Sequence, residues 1–186
     1  MFSPRTDVSR PITDRVKESL FSVLYKYDLP DGKIVADLFC GVGSLGLEAL
    51  SRGAEFVTFV EKDPKTVAIL EKNIEKAGFA GESKVIRANA FKIGAPLLPS
   101  EEGKGDEQKY DLIFVDPPYS TTRETKEGSP LSELLVLLSE QSAVDGIIVV
   151  RTERRTELLS RYSCLETIER RQWGTMAVTI LQRSSK

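Results

Sequence analysis

The chain of 186 residues contains no histidine. That absence excludes imidazole as a general acid or base, His-activated serine or cysteine nucleophiles, and every zinc site that needs a ring nitrogen. Only two cysteines are present, Cys40 and Cys164, 124 positions apart. They form neither a structural zinc cluster nor the disulfide framework of a small secreted domain. No apolar run approaches the roughly 20 residues that a membrane helix needs. The first ten residues, MFSPRTDVSR, lack the apolar stretch of a secretory signal. A large charge of one sign is missing too: 26 Lys and Arg stand against 28 Asp and Glu, a net −2, whereas a purely electrostatic nucleic-acid binder is basic. These absences together predict a reduced, cytoplasmic, monomeric protein with no metal and no membrane contact.

What is present suits one globular domain. Apolar residues make up 40% and charged residues 29%, enough of the former for a core and too little of the latter for general disorder. At roughly 150 residues per domain, the length allows one domain, residues 1–186. Charge is unevenly spread. From Arg151 to Lys186 eight basic residues face four glutamates, and the stretch with Arg5, Arg10, Arg15 and Lys17 is also basic. Such clustering permits a basic face for a polyanion without requiring one.

Strand and helix patterns alternate along the chain. Val16, Leu20, Val23, Leu24 and Tyr27 fall on one helix face between Pro11 and Tyr27. Apolar strand-like runs follow at Ile34–Cys40, Phe56–Val60, Lys84–Ala88, Leu112–Val115 and Ile147–Val150. Helices are predicted over Ser44–Arg52, from Asp63-Pro64 to Gly78, and from Ser129-Pro130 through Leu138. Near-continuous apolar strands between amphipathic helices indicate a parallel sheet covered on both faces. The last two runs, Tyr162–Gln172 and Met176–Leu181, leave no room for a helix between them and predict an antiparallel hairpin. The expected fold is therefore α/β: a Rossmann-like, doubly wound, mostly parallel seven-stranded sheet with a C-terminal antiparallel hairpin. Pro99–Lys109 reads as a polar loop, and Ser120–Gly128 as a lid after a strand end.

Two segments carry chemistry. The first runs from Asp37 through Gly41-Val-Gly43-Ser-Leu-Gly46 at a strand-to-helix junction. Glycines there permit a tight turn and close approach of a ligand, and the helix start offers free N–H groups. Glu61 lies 20 residues after Gly41, at the end of the next strand, where a carboxylate accepts from ribose hydroxyls. Asp37 decides between nucleosides. A carboxylate four residues before the first glycine repels a pyrophosphate and suits an ammonium. S-adenosyl-L-methionine, with a ribose and a cationic amino-acid arm, therefore fits better than NAD. The second segment, Asp116-Pro117-Pro118-Tyr119, directly follows a strand. The prolines remove two donors and stiffen the chain, so Asp116 and a neighbouring carbonyl stand as rigid acceptors beside a ring that can stack on a base. Such a corner suits a planar exocyclic amine, and Asp116, Pro117, Pro118 and Tyr119 are the candidate catalytic residues.

With these motifs the chain resembles the class I S-adenosylmethionine-dependent methyltransferases. More narrowly it resembles the RsmD family, bacterial enzymes that methylate the exocyclic N2 of a guanine in small-subunit ribosomal RNA. The resemblance rests on Arg10-Pro-Ile-Thr-Asp-Arg-Val-Lys-Glu-Ser-Leu-Phe21, on the segment from Asp37 to Gly53, on Val60-Glu61-Lys62-Asp63, on Ala88-Asn89-Ala90 and on Tyr110–Tyr119. It implies that S-adenosyl-L-methionine is held by Asp37, Phe39, Gly41, Gly43, Glu61, Lys62, Asn89, Ala90 and Asp116. It also implies that residues 1–28 form a segment and helix over the cofactor mouth, with Arg10, Thr13, Asp14 and Arg15 near the substrate. The implied partner is small-subunit ribosomal RNA or the assembling subunit. N6 of adenine or a glutamine amide also fits the Asp-Pro-Pro-Tyr chemistry; an NAD oxidoreductase or a non-catalytic RNA-binding module leaves that corner unexplained. The chain departs from the family in three places. Nine residues precede Arg10 where members carry a basic hairpin, Pro99–Lys109 is an acidic insertion, and Arg151-Thr152 stands after the fifth strand where acidic residues are expected.

Overall fold

The computed structural model describes residues 12–97 and 108–184. Five parallel strands form its centre: β1 (Ile34–Leu38), β2 (Phe56–Glu61), β3 (Ser83–Arg87), β4 (Tyr110–Val115) and β5 (Ser142–Glu153). The edge is closed by β6 (Arg161–Tyr162), β7 (Leu165–Trp173) and β8 (Met176–Arg183). The order is β3-β2-β1-β4-β5-β8-β7-β6, with β8 antiparallel to β5 and β7 antiparallel to β8. The seven expected strands are present, and β6 adds a two-residue rung beyond the hairpin.

Helices cover both faces, because β1, β2, β4 and β5 are buried on both sides, whereas β3 at the edge is partly exposed. α1 (Asp14–Leu24), α2 (Ser44–Ser51) and α3 (Pro64–Ala77) bury Leu20, Phe21, Leu24, Leu47, Leu50, Leu70 and Ile74 with Val35, Val57, Phe59, Leu112 and Phe114 of the sheet. On the other face the short α4 (Ala90–Ile93) and α5 (Pro130–Gln141) pack Ala90, Leu131, Leu134, Leu135 and Leu138 against Ala36, Leu38, Ile113 and Ile148. Local signals start and stop these helices. Asp63 accepts from Thr66 N at 2.8 Å and Pro64 follows it; Ser129 caps α5 in the same way, with Pro130 next.

Two expectations change. The fifth strand does not end at Val150: it continues to Glu153, so Arg151 lies inside β5, opposite Val178 of β8. The segment Ser120–Gly128 is anchored rather than open. Thr122 is fully buried, and Thr125 Oγ1 donates to the Glu157 carbonyl at 2.8 Å. The polar loop of residues 99–109 lies outside the described residues except for Gln108 and Lys109.

Candidate active site

Register brings the site together. Leu38 pairs with Val60 on one side and with Val115 on the other. The residues that follow these strands, from Phe39, Glu61 and Asp116, therefore emerge at one level, at the carboxyl end of the sheet where ligands bind in such folds. Val115 also pairs with Val150, which sets Asp116 beside Arg151. Two further backbone bonds close the rim: Cys40 N donates to Val60 O and Asp116 N to Leu38 O, both at 3.3 Å.

The glycine loop is built as its spacing predicts. Gly43 adopts φ +88°, a left-handed conformation that other residues avoid, and starts α2. At Gly46 a Cβ would drive into Phe59 and Val57, so only glycine lets α2 lie this close to β2. At Gly41 (φ +54°) a Cβ would meet nothing, leaving open space above the loop. Asn73 of α3 holds the loop from behind: it is buried, and its Nδ2 donates to Val42 O at 3.1 Å. The sequence marks Asn73 only as one more helical residue. Its signal is a polar side chain on the apolar stripe formed by Leu70 and Ile74.

Asp37 is buried beneath the loop. Its Oδ2 accepts from Gly46 N at 2.8 Å, while its Oδ1 has no hydrogen-bond partner among the described residues. Burial, with Asp116 and Glu61 nearby, pushes its carboxyl up to about 8 against the pull of the Gly46 N–H. A buried carboxyl with one unmet oxygen is a socket for a donor or a cation. Glu61 knits two loops together. Its Oε2 accepts from Gly41 N at 3.1 Å, and its Oε1 accepts from Lys62 N at 2.8 Å and Asp63 N at 2.9 Å. A carboxylate has about four lone-pair sites, so room for hydroxyl donors is left. Lys62 contributes its backbone N–H here; its side chain is exposed. Phe39 (φ +57°) packs its ring on Phe91 with centroids 4.8 Å apart. Asn89 caps α4 by accepting from Phe91 N at 3.1 Å, and Ala90, the first residue of that helix, is buried.

The Asp116-Pro117-Pro118-Tyr119 corner is less uniform than its sequence suggests. The Pro118 carbonyl is already engaged, accepting from Thr121 N at 2.9 Å and Thr121 Oγ1 at 2.6 Å. Pro118 thus shapes the turn that presents Tyr119, and Asp116 with the Pro117 carbonyl remains as the acceptor pair. The Asp116 carboxylate ion-pairs with Arg151, with Nε 2.6 Å from Oδ1. Burial pushes Asp116 up to about 6, and the Arg151 cation restrains the rise. The same guanidinium lies 5.8 Å from the centre of the Tyr119 ring. Sequence reading misses Arg151 as a site residue. Its signal becomes legible only once β4 and β5 are known to be neighbours in register.

Of the described N-terminal residues, Thr13, Asp14 and Arg15 reach Asp37, Glu61 or Asp116 through none of the described side-chain contacts. Arg10 lies outside the described residues. Thr13 precedes α1 without a side-chain cap, Asp14 pairs with Lys17 at 3.1 Å, and Arg15 is exposed. Among the described contacts, α1 reaches α2 through Lys17–Glu48 (3.5 Å) and the sheet through Phe21–Phe114 (5.8 Å). The described residues hold no group of three metal-ligating side chains and no helix long and apolar enough to cross a membrane.

The chain is similar to known proteins over most of its length. The family model described as Conserved hypothetical protein 95 matches residues 2–182. A Bacillus subtilis protein named "Putative rRNA methyltransferase YlbH" is 34% identical over 177 residues, covering 94% of this chain and 88% of that protein. The "Ribosomal RNA small subunit methyltransferase D" of Haemophilus influenzae is 32% identical over 153 residues, covering 81% of this chain and 72% of that one. Among solved structures, the Escherichia coli "Putative methyltransferase yhhF" superposes with a TM-score of 0.75 at 30% identity, covering 99% of this chain and 92% of that one.

Proposed function

Since the chain belongs to the family described as Conserved hypothetical protein 95, the RsmD family of class I methyltransferases, we propose that it transfers a methyl group from S-adenosyl-L-methionine to the exocyclic N2 of a guanine in small-subunit ribosomal RNA. The protein is an S-adenosylmethionine-dependent RNA methyltransferase. The alignment, at one sheet end, of a buried carboxyl, a ribose-type acid and a proline-stiffened acceptor corner supports transfer to a planar exocyclic amine, and the likeness of Arg10–Phe21 to the RsmD family is what favours guanine. Asp37, Glu61 and Asp116 follow from the pairing of Leu38 with Val60 and Val115.

The residues present fit the cofactor. The unmet Oδ1 of Asp37 suits its ammonium, Glu61 has lone pairs for the ribose hydroxyls, and the space above Gly41 admits the chain between them. Phe39, Gly43, Lys62, Asn89 and Ala90 shape the walls of the same cleft. The cofactor supplies an electrophilic methyl on a sulfonium. The chain supplies position. An exocyclic amine is a weak nucleophile because its lone pair is shared with the ring, so orientation and acceptors matter more than a strong base. Asp116 and the Pro117 carbonyl accept its two N–H bonds, and Tyr119 stacks on the base. As the new N–C bond forms and the S–C bond breaks, the nitrogen becomes far more acidic than a carboxylic acid, and its proton passes to Asp116 or to water. A paired guanine cannot reach this corner, so the target is unpaired or flipped. Thr13, Asp14 and Arg15 on the exposed start of α1 face the RNA side in this reading. The enzyme works in the cytoplasm as a single chain.

Incubation with methyl-labelled cofactor and either naked ribosomal RNA or assembled small subunits tests the proposal, with the modified nucleoside identified by mass spectrometry. N2-methylguanosine is expected. N6-methyladenosine, a methylated protein amide, or no transfer to either substrate refutes the guanine reading.

A further inference from the structure

Arg151 directly follows an apolar run, Ile147-Ile-Val-Val150, yet its side chain is only 5% exposed. A buried guanidinium is costly unless paired, so its partners define what it does. On the ladder it sits next to Asp116 and across from Val178. Its side chain shares the sheet face of Val149 and Ile147, the same face onto which Asp116 and Asp37 project after Phe114 and Val35. One cation therefore touches two members of the substrate corner: the Asp116 carboxylate at 2.6 Å and the face of the Tyr119 ring at 5.8 Å.

We propose that Arg151 is a positioning residue for methyl transfer: it occupies one oxygen of Asp116, turns the other towards the incoming amine, and backs the Tyr119 ring, so that acceptor and stacking surface are held in one plane. This rests on the function proposed above. The division of oxygens follows from the contacts. Oδ1 faces Arg151 Nε in an ion pair, and none of the described hydrogen bonds brings another side chain to Asp116, which leaves Oδ2 for a donor. The rigid planar guanidinium, laid over the Tyr119 ring, fixes where its Nε meets Oδ1 in a way a lysine's rotating ammonium does not. Electrostatics set the protonation state. Among the described residues, the charged groups facing Asp116 are Arg151 from β5 and Asp37 from the end of β1; Glu61, from the end of β2, acts on Asp37. Arg151 is the cation in that set and keeps Asp116 an acceptor near neutral pH. Without it, burial alone drives the carboxyl upward and converts it to a donor, which repels an amine's N–H.

The test compares wild type with Arg151→Gln and Arg151→Lys, with Asp116→Asn as an assignment control. Three quantities are read: cofactor affinity by calorimetry, the pH profile of kcat, and the titration of the Asp116 carboxyl by carbon-13 NMR of labelled aspartate. Cofactor Kd stays within about threefold in both Arg151 variants. In Arg151→Gln the acidic limb of kcat and the Asp116 titration both move up by at least one pH unit, and kcat at pH 7 falls at least tenfold. In Arg151→Lys the titration stays within half a unit of wild type while kcat still falls several-fold, because charge is kept and the planar guanidinium is lost. If Arg151→Gln does not fold, the lysine variant decides. A kcat equal to wild type there overturns the positioning role, as does an Asp116 titration that ignores Arg151→Gln. The NMR titration needs no RNA. If wild type transfers no methyl to any RNA yet Asp116 still titrates as described, the function reading fails while the Arg151–Asp116 coupling stands. If wild type transfers and the coupling is absent, only the present inference fails.

Discussion

Replacing Asp37 by asparagine should stabilise the cofactor-free protein progressively as pH rises, an effect opposite to the usual loss on mutating a buried polar residue. Asp37 is 1% exposed and its carboxyl is raised from 3.8 to about 8 by burial. Between those values the unfolded chain carries it ionised while the folded chain holds its proton. A folded state that binds the extra proton loses stability with rising pH, at about 1.4 kcal/mol per pH unit for one proton. From pH 5 to pH 7 wild type therefore loses about 2.7 kcal/mol through this group alone. Asparagine keeps an oxygen for the Gly46 N–H and has nothing to ionise. Asp116 titrates in both proteins, and because Asp37 is uncharged over most of this range its removal leaves that titration nearly in place. At an m value of roughly 2 kcal/mol per molar urea, the midpoint gap between variant and wild type widens by about 1.4 M between pH 5 and pH 7. Urea unfolding at pH 5, 6 and 7 without cofactor measures it. Midpoints that run parallel across that range would show that Asp37 is ionised in the folded protein and that the buried-socket argument is wrong. The same variant should bind S-adenosylmethionine at least tenfold more weakly.

Cofactor binding at pH 6.5 should release up to one proton from Asp37, seen by calorimetry in two buffers of different ionisation enthalpy; zero release in wild type rejects the pairing of Asp37 with the ammonium. Asp116→Ala should abolish methyl transfer and also cost about 3 kcal/mol or more of stability, because it strands Arg151 without its carboxylate. The double change Asp116→Ala with Arg151→Met should recover most of that stability and no activity, and a thermally unperturbed Asp116→Ala would contradict the buried pair. Tyr119→Ala should cost at least fivefold in kcat/KM for RNA, since base stacking is worth about 1–3 kcal/mol; unchanged kinetics remove the stacking role. Gly46→Ala gains about 1 kcal/mol of helix propensity but forces a methyl into Phe59, so a net loss of about 1 kcal/mol or more is expected in chemical denaturation, and a gain would show that α2 can move off β2.

Local physics made much of this protein legible before any coordinates. Asp63-Pro64 and Ser129-Pro130 announce helix starts because a short acceptor side chain followed by proline satisfies the first free N–H groups whatever surrounds it. Gly43 and Gly46 announce a strand-to-helix turn because only glycine tolerates the positive φ and the close approach found there. The apolar strands announced a parallel sheet because a sheet covered on both faces has no polar side. Tertiary structure decided what no such rule reaches. Strand order placed Val115 beside Val150, and that register turned Arg151, a charge apparently past the end of a strand, into the buried partner of Asp116. Packing likewise engaged the Pro118 carbonyl with Thr121 and set Asn73 behind the glycine loop. Short-range signals depend on a residue and its near neighbours, whereas the charge on Asp116, the proton on Asp37 and the role of Arg151 depend on which distant strands become neighbours and how much water they exclude.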